Sequence, residues 1–255
     1  MTNPLFDMTG KVALITGSTK GIGRSIAEEM ARCGARVVIS SRKAEVCDQV
    51  AGELKDQGFE AIAIPCHVGK KEDLQNLVDK TLAAWGRIDV LVCNAATNPV
   101  YGPTQEMTDE AWDKIMDTNV KSSFWLTQMV LPGMAERGEG AVVMLSSIAG
   151  LRGNTVIGTY GVSKAAEAAL ARNLAVEWGP KGIRVNAIAP GLIKTDFARA
   201  LLEDPMRVKR AEDKTPLRRI GDPVDIAGLA VFLSTPASAY ITGQVIVADG
   251  GETAC

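Results

Sequence analysis

Short apolar runs alternate with longer amphipathic segments along most of this chain. The apolar runs are nearly continuous and rich in β-branched residues, which is typical of strands that helices cover on both faces. They predict strands at residues 12–16, 37–41, 61–65, 90–94, 141–146, 184–189 and 245–248. The segments between them predict helices at residues 21–33, 44–57, 71–85, 109–137, 159–178 and 224–233.

The regular alternation of strand and helix predicts the fold class. Strands that each precede a helix form βαβ units, and such units build a parallel sheet. We therefore expect an α/β fold with one doubly wound domain over residues 1–255, a seven-stranded parallel sheet and helices on both faces. Residues 192–216 depart from this pattern, because they are charged, irregular and long. Such a stretch is typical of a lid over a functional site.

Composition and charge exclude several classes of function. The 255 residues are 46% hydrophobic and 23% charged, which allows a large core and argues against disorder. The formal net charge of −2 argues against nucleic acids or an anionic membrane as partners. No apolar run approaches the ~18 residues of a membrane span. Residues 1–10 lack the pattern of a signal peptide, so we expect a cytoplasmic protein.

Cysteine and histidine usage gives no indication of a metal site. The five cysteines are scattered without CxxC spacing, which favours free thiols over disulfides or metal ligands. They are Cys33, Cys47, Cys66, Cys93 and Cys255. The single histidine, His67, excludes a multi-histidine metal site and makes a Ser-His-Asp triad improbable.

Three glycines, Gly17, Gly21 and Gly23, lie between the first predicted strand and the first predicted helix. Gly17 would permit a tight turn, Gly21 a close approach to a pyrophosphate, and Gly23 close packing of helix on sheet. The free N–H groups at a helix start favour phosphates. We therefore predict a dinucleotide-binding loop, with an ordinary structural turn as the alternative. The loop also contains Ser18, Thr19, Lys20 and Ile22.

The end of the second predicted strand selects between the two nicotinamide dinucleotides. An acidic residue there would bind the adenosine ribose and repel a 2′-phosphate. This chain instead has Ser41, followed by Arg42 and Lys43. A guanidinium binds phosphate with paired N–H groups, and Lys20 adds a second cation nearby. These residues predict NADP(H) rather than NAD(H), unless Arg42 and Lys43 only solvate a loop.

A second group of residues has the chemistry for proton transfer. Tyr160 and Lys164 are four residues apart, so they share one face of a predicted helix. A free tyrosine has a pKa near ~10, and a neighbouring ammonium lowers the pKa of a phenol. Ser147 follows a strand, at the edge where open α/β sheets bind ligands. In a reduction, Tyr160 would protonate a carbonyl oxygen that Ser147 polarises.

Together these motifs resemble the short-chain dehydrogenase/reductase family over nearly the whole chain. The matching segments are residues 16–23, 94–96, 119, 146–147, 160–164, 184–186, 190–191 and 240–243. The resemblance implies a Rossmann-type fold and a catalytic set of Asn119, Ser147, Tyr160 and Lys164. It also implies that both Tyr160 and Lys164 contact the cofactor, and that Lys164 holds the nicotinamide ribose. Asn119 would hold a water molecule that links Lys164 to solvent.

The resemblance implies further contacts to the cofactor. Asn94 would stabilise the sheet and flank the cofactor, together with Ala95 and Ala96. The nicotinamide end would lie against Pro190, Gly191, Ile193 and Thr195.

Two positions depart from the family pattern. Ala96 stands where the family usually has glycine, and its methyl group should be tolerated beside the adenosine. His67, followed by Val68, replaces an aspartate that often meets the adenine amino group. His67 could still stack or hydrogen-bond there, or it could be a solvated loop residue.

Several segments narrow the resemblance to the NADP-dependent retinol dehydrogenase/carbonyl reductase subgroup. They are residues 40–43, 66–70, 94–99 and 189–195. This implies an NADP(H)-dependent carbonyl reductase or alcohol dehydrogenase. Because family members usually assemble into homotetramers, it also implies a homotetramer. Apolar positions around the expected pocket favour a hydrophobic ketone or aldehyde. They are Leu151, Val156, Ile157, Leu192, Phe197, Leu201 and Leu202.

Two other functions remain open at the level of sequence. A 3-oxoacyl-thioester reductase, acting on an acyl carrier protein or coenzyme A thioester, shares the same motifs and needs a basic entrance. Five cations near the expected lid would suit it: Arg207, Lys209, Arg210, Arg218 and Arg219. A non-catalytic NADP-sensing protein tends to lose the tyrosine or lysine, and both are present here.

Overall fold

Seven parallel strands form one sheet in the part of the chain that the computed structural model describes, residues 3–254. The strands are β1 (Val12–Thr16), β2 (Arg36–Ser40), β3 (Ala61–Ala63), β4 (Val90–Cys93), β5 (Gly140–Leu145), β6 (Ile183–Pro190) and β7 (Val245–Ala248). Their order across the sheet is β3-β2-β1-β4-β5-β6-β7. Because the order reverses between β1 and β4, the sheet is doubly wound. This confirms the predicted Rossmann-type α/β fold.

Helices cover both faces of the sheet. They are α1 (Gly21–Arg32), α2 (Ala44–Asp56), α3 (Lys71–Trp85), α4 (Asp109–Met116), α5 (Ser122–Arg137), α6 (Gly158–Trp178), α7 (Arg199–Leu202), α8 (Pro205–Lys214) and α9 (Pro223–Ser234). Helices α1, α2 and α9 pack on one face, and α3, α5 and α6 on the other. Within β1, Ile15 faces the first group and Leu14 the second. Each such fully buried side chain stabilises the fold by about 1.5–3 kcal/mol.

Most predicted elements have the expected bounds. The bounds of β1, β7 and α3 agree with the prediction, and most others differ by one or two residues at an end. Thr108 caps α4, where its side chain accepts a hydrogen bond from the Ala111 backbone nitrogen. The patterns were clear here because the central strands β1, β4 and β5 are buried on both faces and the helices that cover them are buried on one.

The prediction of one continuous helix over residues 109–137 is wrong. A π-helical segment, Asp117–Lys121, separates α4 from α5. This segment contains Asn119, whose side chain bonds the backbone of Thr97 in the loop after β4. An extra residue in a helical turn changes the direction of a side chain, and no hydrophobic period reveals it.

The prediction that residues 192–216 are irregular is also wrong in part. The segment contains a short 3-10 turn, Asp196–Ala198, followed by α7 and α8. Asp204 caps α8 by accepting hydrogen bonds from the backbone nitrogens of Met206 and Arg207. Because α8 is dominated by charged residues, its helical period was hidden in the sequence.

Two further findings concern the described residues only. Within residues 3–254, no helix is long and apolar enough to cross a bilayer. Cys33, Cys47, Cys66 and Cys93 are free thiols, as the sequence indicated. The free thiol predicted for Cys255 lies outside the described residues.

Candidate active site

The residues predicted for the site follow the ends of several parallel strands. They are the turn of residues 17–23 after β1, Ser41 after β2, Asn94 after β4, Ser147 after β5 and Gly191 after β6. Because the strands are parallel, these ends meet at one edge of the sheet. That edge is where open α/β sheets bind their ligands.

The turn after β1 lets a ligand approach the backbone closely. Gly17 and Gly21 have φ angles of +66° and +56°, a region that favours glycine. A Cβ atom at Gly23 would lie 2.4 Å from both Asn94 Nδ2 and the Gly17 carbonyl oxygen. Asn94 Nδ2 donates to the carbonyl oxygens of Thr16 at 2.8 Å and Gly17 at 3.2 Å. Asn94 therefore stabilises the turn and holds it against β4.

The start of α1 fits the pyrophosphate of a dinucleotide. Its N-cap residue, Lys20, makes no side-chain cap hydrogen bond, so the first-turn N–H groups remain available to an anion. The Ser18 hydroxyl is used inside the protein, since it accepts from Ser40 N at 2.8 Å and donates to a β1 carbonyl oxygen at 2.8 Å. Thr19 is half-buried, and Ile22 packs against the core. The backbone of this turn is therefore the part that suits phosphates.

Two cations lie exposed at the adenosine end of the edge. In residues 3–254 the side chains of Arg42 and Lys43 have no hydrogen-bond or ion-pair partner. Ser41, in the position where an acid would select NAD(H), has its hydroxyl 3.3 Å from Cys47 Sγ. The strand end thus offers positive charge and no carboxylate of its own, which suits a phosphate.

His67 lies exposed after β3 at the same edge. Its backbone nitrogen donates to Asp73 Oδ2 at 2.9 Å, and its Nδ1 accepts from Gly69 N at 3.2 Å. The neighbouring Val68 is half-buried. This loop is therefore held in shape by its own hydrogen bonds, with the imidazole at the surface.

Lys20 is ion-paired with the segment after β6. Its Nζ lies 3.0 Å from Asp196 Oδ2 in that segment. A Cβ atom at Gly21 would lie 3.2 Å from the methyl group of Thr195 in the same segment. The segment after β6 therefore closes against the glycine turn, and the place of Lys20 beside a phosphate stays a prediction.

Close packing of α6 places Tyr160 beside Ser147. A Cβ atom at Gly150 would lie 2.7 Å from a backbone nitrogen of α6, and one at Gly161 2.5 Å from a carbonyl oxygen of the turn after β5. The Ser147 hydroxyl is near enough to the Tyr160 phenol to lower its pKa. That hydroxyl accepts from Ala149 N at 3.1 Å, which fixes its orientation.

Lys164 is 2% exposed and is held from behind by two acceptors. Its Nζ donates to the Leu145 carbonyl oxygen at 2.6 Å and to Glu167 Oε2 at 2.5 Å. The same nitrogen lies 5.5 Å from the centroid of the Tyr160 ring. An ammonium has three donors, so one remains for a ligand on the side of Tyr160.

Burial and two opposite charges set the acidity of the group. Burial is the largest effect on the pKa of Tyr160 and raises it, and the negative charge of Glu167 raises it further. Lys164 and Ser147 lower this pKa, but the net shift is upward. Burial lowers the pKa of Lys164, but Glu167 and Tyr160 together raise it above its ordinary value. Burial raises the pKa of Glu167 to about 7 against the effect of Lys164.

The raised pKa of Tyr160 differs from the sequence expectation, which considered only the ammonium. The sequence shows Lys164 four residues away, but neither the burial of the phenol nor the carboxylate of Glu167. Tyr160 is therefore a phenol at neutral pH, the form that donates a proton.

Asn119 is fully buried and braces the site. Its Oδ1 accepts from Thr97 N at 2.8 Å, and its Nδ2 donates to the Thr97 carbonyl oxygen at 3.1 Å and to Ser163 Oγ at 2.9 Å. Its side chain thus ties the loop after β4 to α6, while Lys164 is held by other groups. The water-holding role stays a prediction from the resemblance.

The residues expected at the nicotinamide end line the other side of this edge. Pro190 ends β6, and Gly191 N donates to the Ala248 carbonyl oxygen at 3.0 Å. Ile193 is 6% exposed and forms a bridge with Gly221.

Ala95 and Ala96 follow Asn94 along the same edge, and both are half-buried. The Ala95 backbone nitrogen donates to Thr16 Oγ1 at 3.1 Å. This bond ties the start of the loop after β4 to the end of β1, beside the glycine turn.

Apolar side chains surround the opening above Tyr160. The Phe197 and Tyr160 ring centroids are 5.6 Å apart, and Tyr101 Oη donates to the Phe197 carbonyl oxygen at 3.4 Å. Gly102 N donates to the Val156 carbonyl oxygen at 2.9 Å. The loop after β4 therefore touches both the lid segment and the loop that precedes α6.

Sequence reasoning missed Glu167 as a member of this site. Its only signal was its position three residues after Lys164 on the same helix, in a stretch otherwise made of small and apolar residues.

Among residues 3–254, no group of three or more metal-ligating side chains comes together.

Comparison with known proteins agrees with the fold and the motifs. The family model described as "Enoyl-(Acyl carrier protein) reductase" matches residues 17–253. Dehydrogenase/reductase SDR family member 4 of Oryctolagus cuniculus is 45% identical over 244 residues, which are 96% of this chain and 94% of that protein.

Two solved structures bind dinucleotides on the same fold. A gluconate 5-dehydrogenase from Burkholderia cenocepacia, in complex with NADP and tartrate, has a TM-score of 0.95 and 31% identity over 99% of this chain and 98% of that one. A 7α-hydroxysteroid dehydrogenase, complexed with NADH and 7-oxo glycochenodeoxycholic acid, has a TM-score of 0.94 and 36% identity over 98% of both chains. The chain therefore belongs to the short-chain dehydrogenase/reductase family of oxidoreductases.

Proposed function

We propose that this protein is an NADP(H)-dependent carbonyl reductase that reduces hydrophobic ketones or aldehydes. The observation that carries the proposal is the grouping of Tyr160, Ser147 and Lys164, with Lys164 Nζ 5.5 Å from the centroid of the Tyr160 ring, at the edge that also carries the glycine turn. A proton donor, an oxygen-binding hydroxyl and a buried cation are what the reduction of a carbonyl group requires.

Each side chain has a distinct task in this reaction. The Ser147 hydroxyl donates a hydrogen bond to the carbonyl oxygen of the substrate and polarises it. Tyr160 gives its proton to that oxygen as negative charge develops there. Lys164 stabilises the phenolate that remains and offers its third donor to the nicotinamide ribose. A reduced nicotinamide, when bound, supplies the hydride that the carbonyl carbon receives.

The charge at the end of β2 supports NADP(H). Arg42 and Lys43 are exposed and unpaired in the described part of the chain, and Ser41 leaves no carboxylate to repel a 2′-phosphate. The related structures hold NADP in one case and NADH in the other, so family membership alone does not choose. The proposal for the phosphate therefore depends on Arg42.

The lining of the opening supports an apolar substrate. Leu151, Val156 and Phe197 are 48%, 45% and 46% exposed, and the Phe197 and Tyr160 ring centroids lie 5.6 Å apart. Such surfaces become favourable contacts when an apolar ligand covers them. The steroid dehydrogenase relative binds a 7-oxo bile acid, which is a ketone on an apolar skeleton.

A 3-oxoacyl-thioester reductase is the second candidate. The basic helix α8 and the carrier-protein wording of the matching family model favour it. Most of the cations near the lid are already paired within the protein, however. Arg207 pairs with Asp204, Lys209 with Asp213, and Arg219 with Asp225.

The third candidate, a non-catalytic NADP-sensing protein, gains no support, because the proton-transfer group is complete.

One assay separates these functions. The purified protein would be mixed with NADPH or NADH and with α-diketones, aromatic ketones, retinal or an acetoacetyl thioester, while the loss of reduced-nicotinamide absorbance is followed. NADPH-dependent turnover of ketones or aldehydes supports the proposal. Turnover of the thioester alone supports the second candidate. Binding of NADPH without turnover of any carbonyl supports the third.

A homotetramer remains our proposal for the assembly. Phe124 on α5, Val176 on α6 and Tyr240 before β7 are 43%, 80% and 104% exposed, so apolar surface is available where family members pair. The cytoplasmic location stays a prediction from the sequence.

A further inference from the structure

Glu167 is a buried acid that the proposed mechanism has not yet used. Its side chain is 1% exposed, and its Oε2 accepts from Lys164 Nζ at 2.5 Å. Its Oε1 accepts from Ser123 Oγ of α5 at 3.4 Å, and that hydroxyl also lies 3.3 Å from the Asn119 carbonyl oxygen. Glu167 therefore connects the lysine of the site to the helix packed against α6.

Burying the Glu167 carboxylate behind Lys164 costs desolvation free energy, so we expect it to have a role beyond stability. An ionised carboxylate pays a large desolvation penalty when it is buried, and a buried ion pair often contributes nothing to stability. The Leu145 carbonyl oxygen already accepts from the same ammonium at 2.6 Å. A carboxylate in addition neutralises the charge that acts on the phenol and fixes the third donor of Lys164.

We propose that Glu167 is a positioning residue of the proton-transfer group, which anchors the Lys164 ammonium from behind and weakens the effect of its charge on the Tyr160 phenol. This inference rests on the proposed function only for its kinetic consequences. The electrostatic part concerns the protein alone, because all three groups are side chains of this chain.

The charged and titratable groups around the phenol come from several elements. Lys164 and Glu167 lie on α6, Cys93 ends β4, and Tyr101 lies in the loop after β4. Burial raises the pKa of the Cys93 thiol to about 12, so that group is neutral near neutral pH. Lys164 and Glu167 are therefore the pair whose balance governs Tyr160.

The substitution Glu167→Gln tests this balance. Glutamine keeps the shape and an oxygen for Lys164, but it removes the negative charge. The Tyr160 phenol should then ionise at lower pH, by about one unit or more, as expected for the loss of a neighbouring charge in a buried site. The exposed Glu177 on the same helix provides the matched control, E177Q, which should change nothing.

Two readouts are needed. The first is tyrosine ionisation by ultraviolet absorbance in the cofactor-free protein, with Tyr160→Phe versions of the wild type and of E167Q as references. The second is the pH profile of alcohol oxidation, whose rising limb requires the phenolate and should move to lower pH in E167Q. The Michaelis constant for the cofactor should rise as well, because the ammonium loses its anchor.

The outcomes separate this inference from the proposed function. A Tyr160 ionisation step at lower pH in E167Q supports the inference even if no carbonyl is ever turned over. An unchanged step, with or without a loss of stability, overturns it and leaves Glu167 as a structural ion-pair partner only. If E167Q does not fold, Glu167→Met carries the test, because it removes the same negative charge while keeping a side chain of similar length. A shift in the same direction supports the inference, and no shift contradicts it.

Discussion

Tyr160 is surrounded by groups that change its acidity in opposite directions. Burial and Glu167 favour the neutral phenol, while Lys164 and Ser147 favour the phenolate. The sequence predicted Tyr160, Lys164 and Ser147 as one group, because their spacing and the strand end before Ser147 imply proximity. Glu167 was not predicted, because its only signal was its position three residues after Lys164 in a stretch of small and apolar residues.

Arg42 gives the sharpest prediction at the scale of single residues. Arg42→Ala should raise the Michaelis constant for NADPH roughly tenfold or more, because a charge-assisted contact to phosphate contributes about 1.5–3 kcal/mol. The constant for NADH should not change. Steady-state kinetics with each cofactor measures both values.

Lys55→Ala is the matched control for Arg42→Ala. It removes one exposed positive charge at the far end of α2, so the net charge changes equally in both variants. If Arg42→Ala and Lys55→Ala behave alike toward NADPH, Arg42 does not bind the phosphate.

At the scale of elements, the turn between β1 and α1 shows how packing creates a binding site. Its glycines could be identified from the sequence, since they follow a strand and open a helix. The π-helical segment before α5 and the two helices of the lid could not. The π-helical segment is tied to the loop after β4 by hydrogen bonds between Asn119 and Thr97, and the helical period of α8 is hidden by its charged residues.

Gly23 should tolerate no side chain. Gly23→Ala places a Cβ atom 2.4 Å from Asn94 Nδ2 and from the Gly17 carbonyl oxygen, and a backbone oxygen yields less easily than the end of a flexible side chain. We expect a loss of about 1–3 kcal/mol in the free energy of unfolding, together with weaker cofactor binding. Chemical denaturation and cofactor titration measure the two effects.

Gly52→Ala is the control within a helix. Gly52 lies inside α2 with open space around its Cα atom, so alanine should stabilise the protein by roughly 0.5–1 kcal/mol. Equal stabilities of the two alanine variants would show that the turn after β1 is not closely packed.

At the scale of the whole molecule, the pH dependence of stability reports on Glu167. Its pKa is about 7 in the folded protein and 4.5 when the glutamate is free in water, as in the unfolded chain, so the folded state prefers the neutral acid. This contribution is fully present below pH 4.5 and is lost as the pH rises through about 7. Relative to E167Q, the free energy of unfolding of the wild type should therefore fall across that window.

Asp225 provides an internal contrast in the same experiment. Arg219 lowers the pKa of Asp225 to about 2, so the contribution of Asp225 to stability is present above pH 3.8 and is lost as the pH falls through about 2.

Unfolding free energies of wild type and E167Q that stay parallel from pH 4.5 to 7 would contradict the raised pKa of Glu167.

The assembly is the feature of the whole molecule that the sequence indicated least directly. Exposed apolar residues are ordinary when scattered, and only their position on α5, α6 and near β7 suggests pairing. Native mass spectrometry should show a tetramer for the wild type. Val176→Asp should dissociate it, whereas Met206→Asp, at an equally exposed site on α8, should not. A monomeric wild type would contradict the proposed assembly.

The decisive comparison is NADPH-dependent reduction of an aromatic ketone or α-diketone by the wild type and by Tyr160→Phe. Phenylalanine preserves the ring and removes only the hydroxyl, so the variant should still bind NADPH. We expect turnover by the wild type with NADPH in preference to NADH, and a loss of about 10²–10⁴-fold in kcat for the variant. Full activity of Tyr160→Phe, or a wild type that turns over carbonyls with NADH alone, would contradict the proposed function.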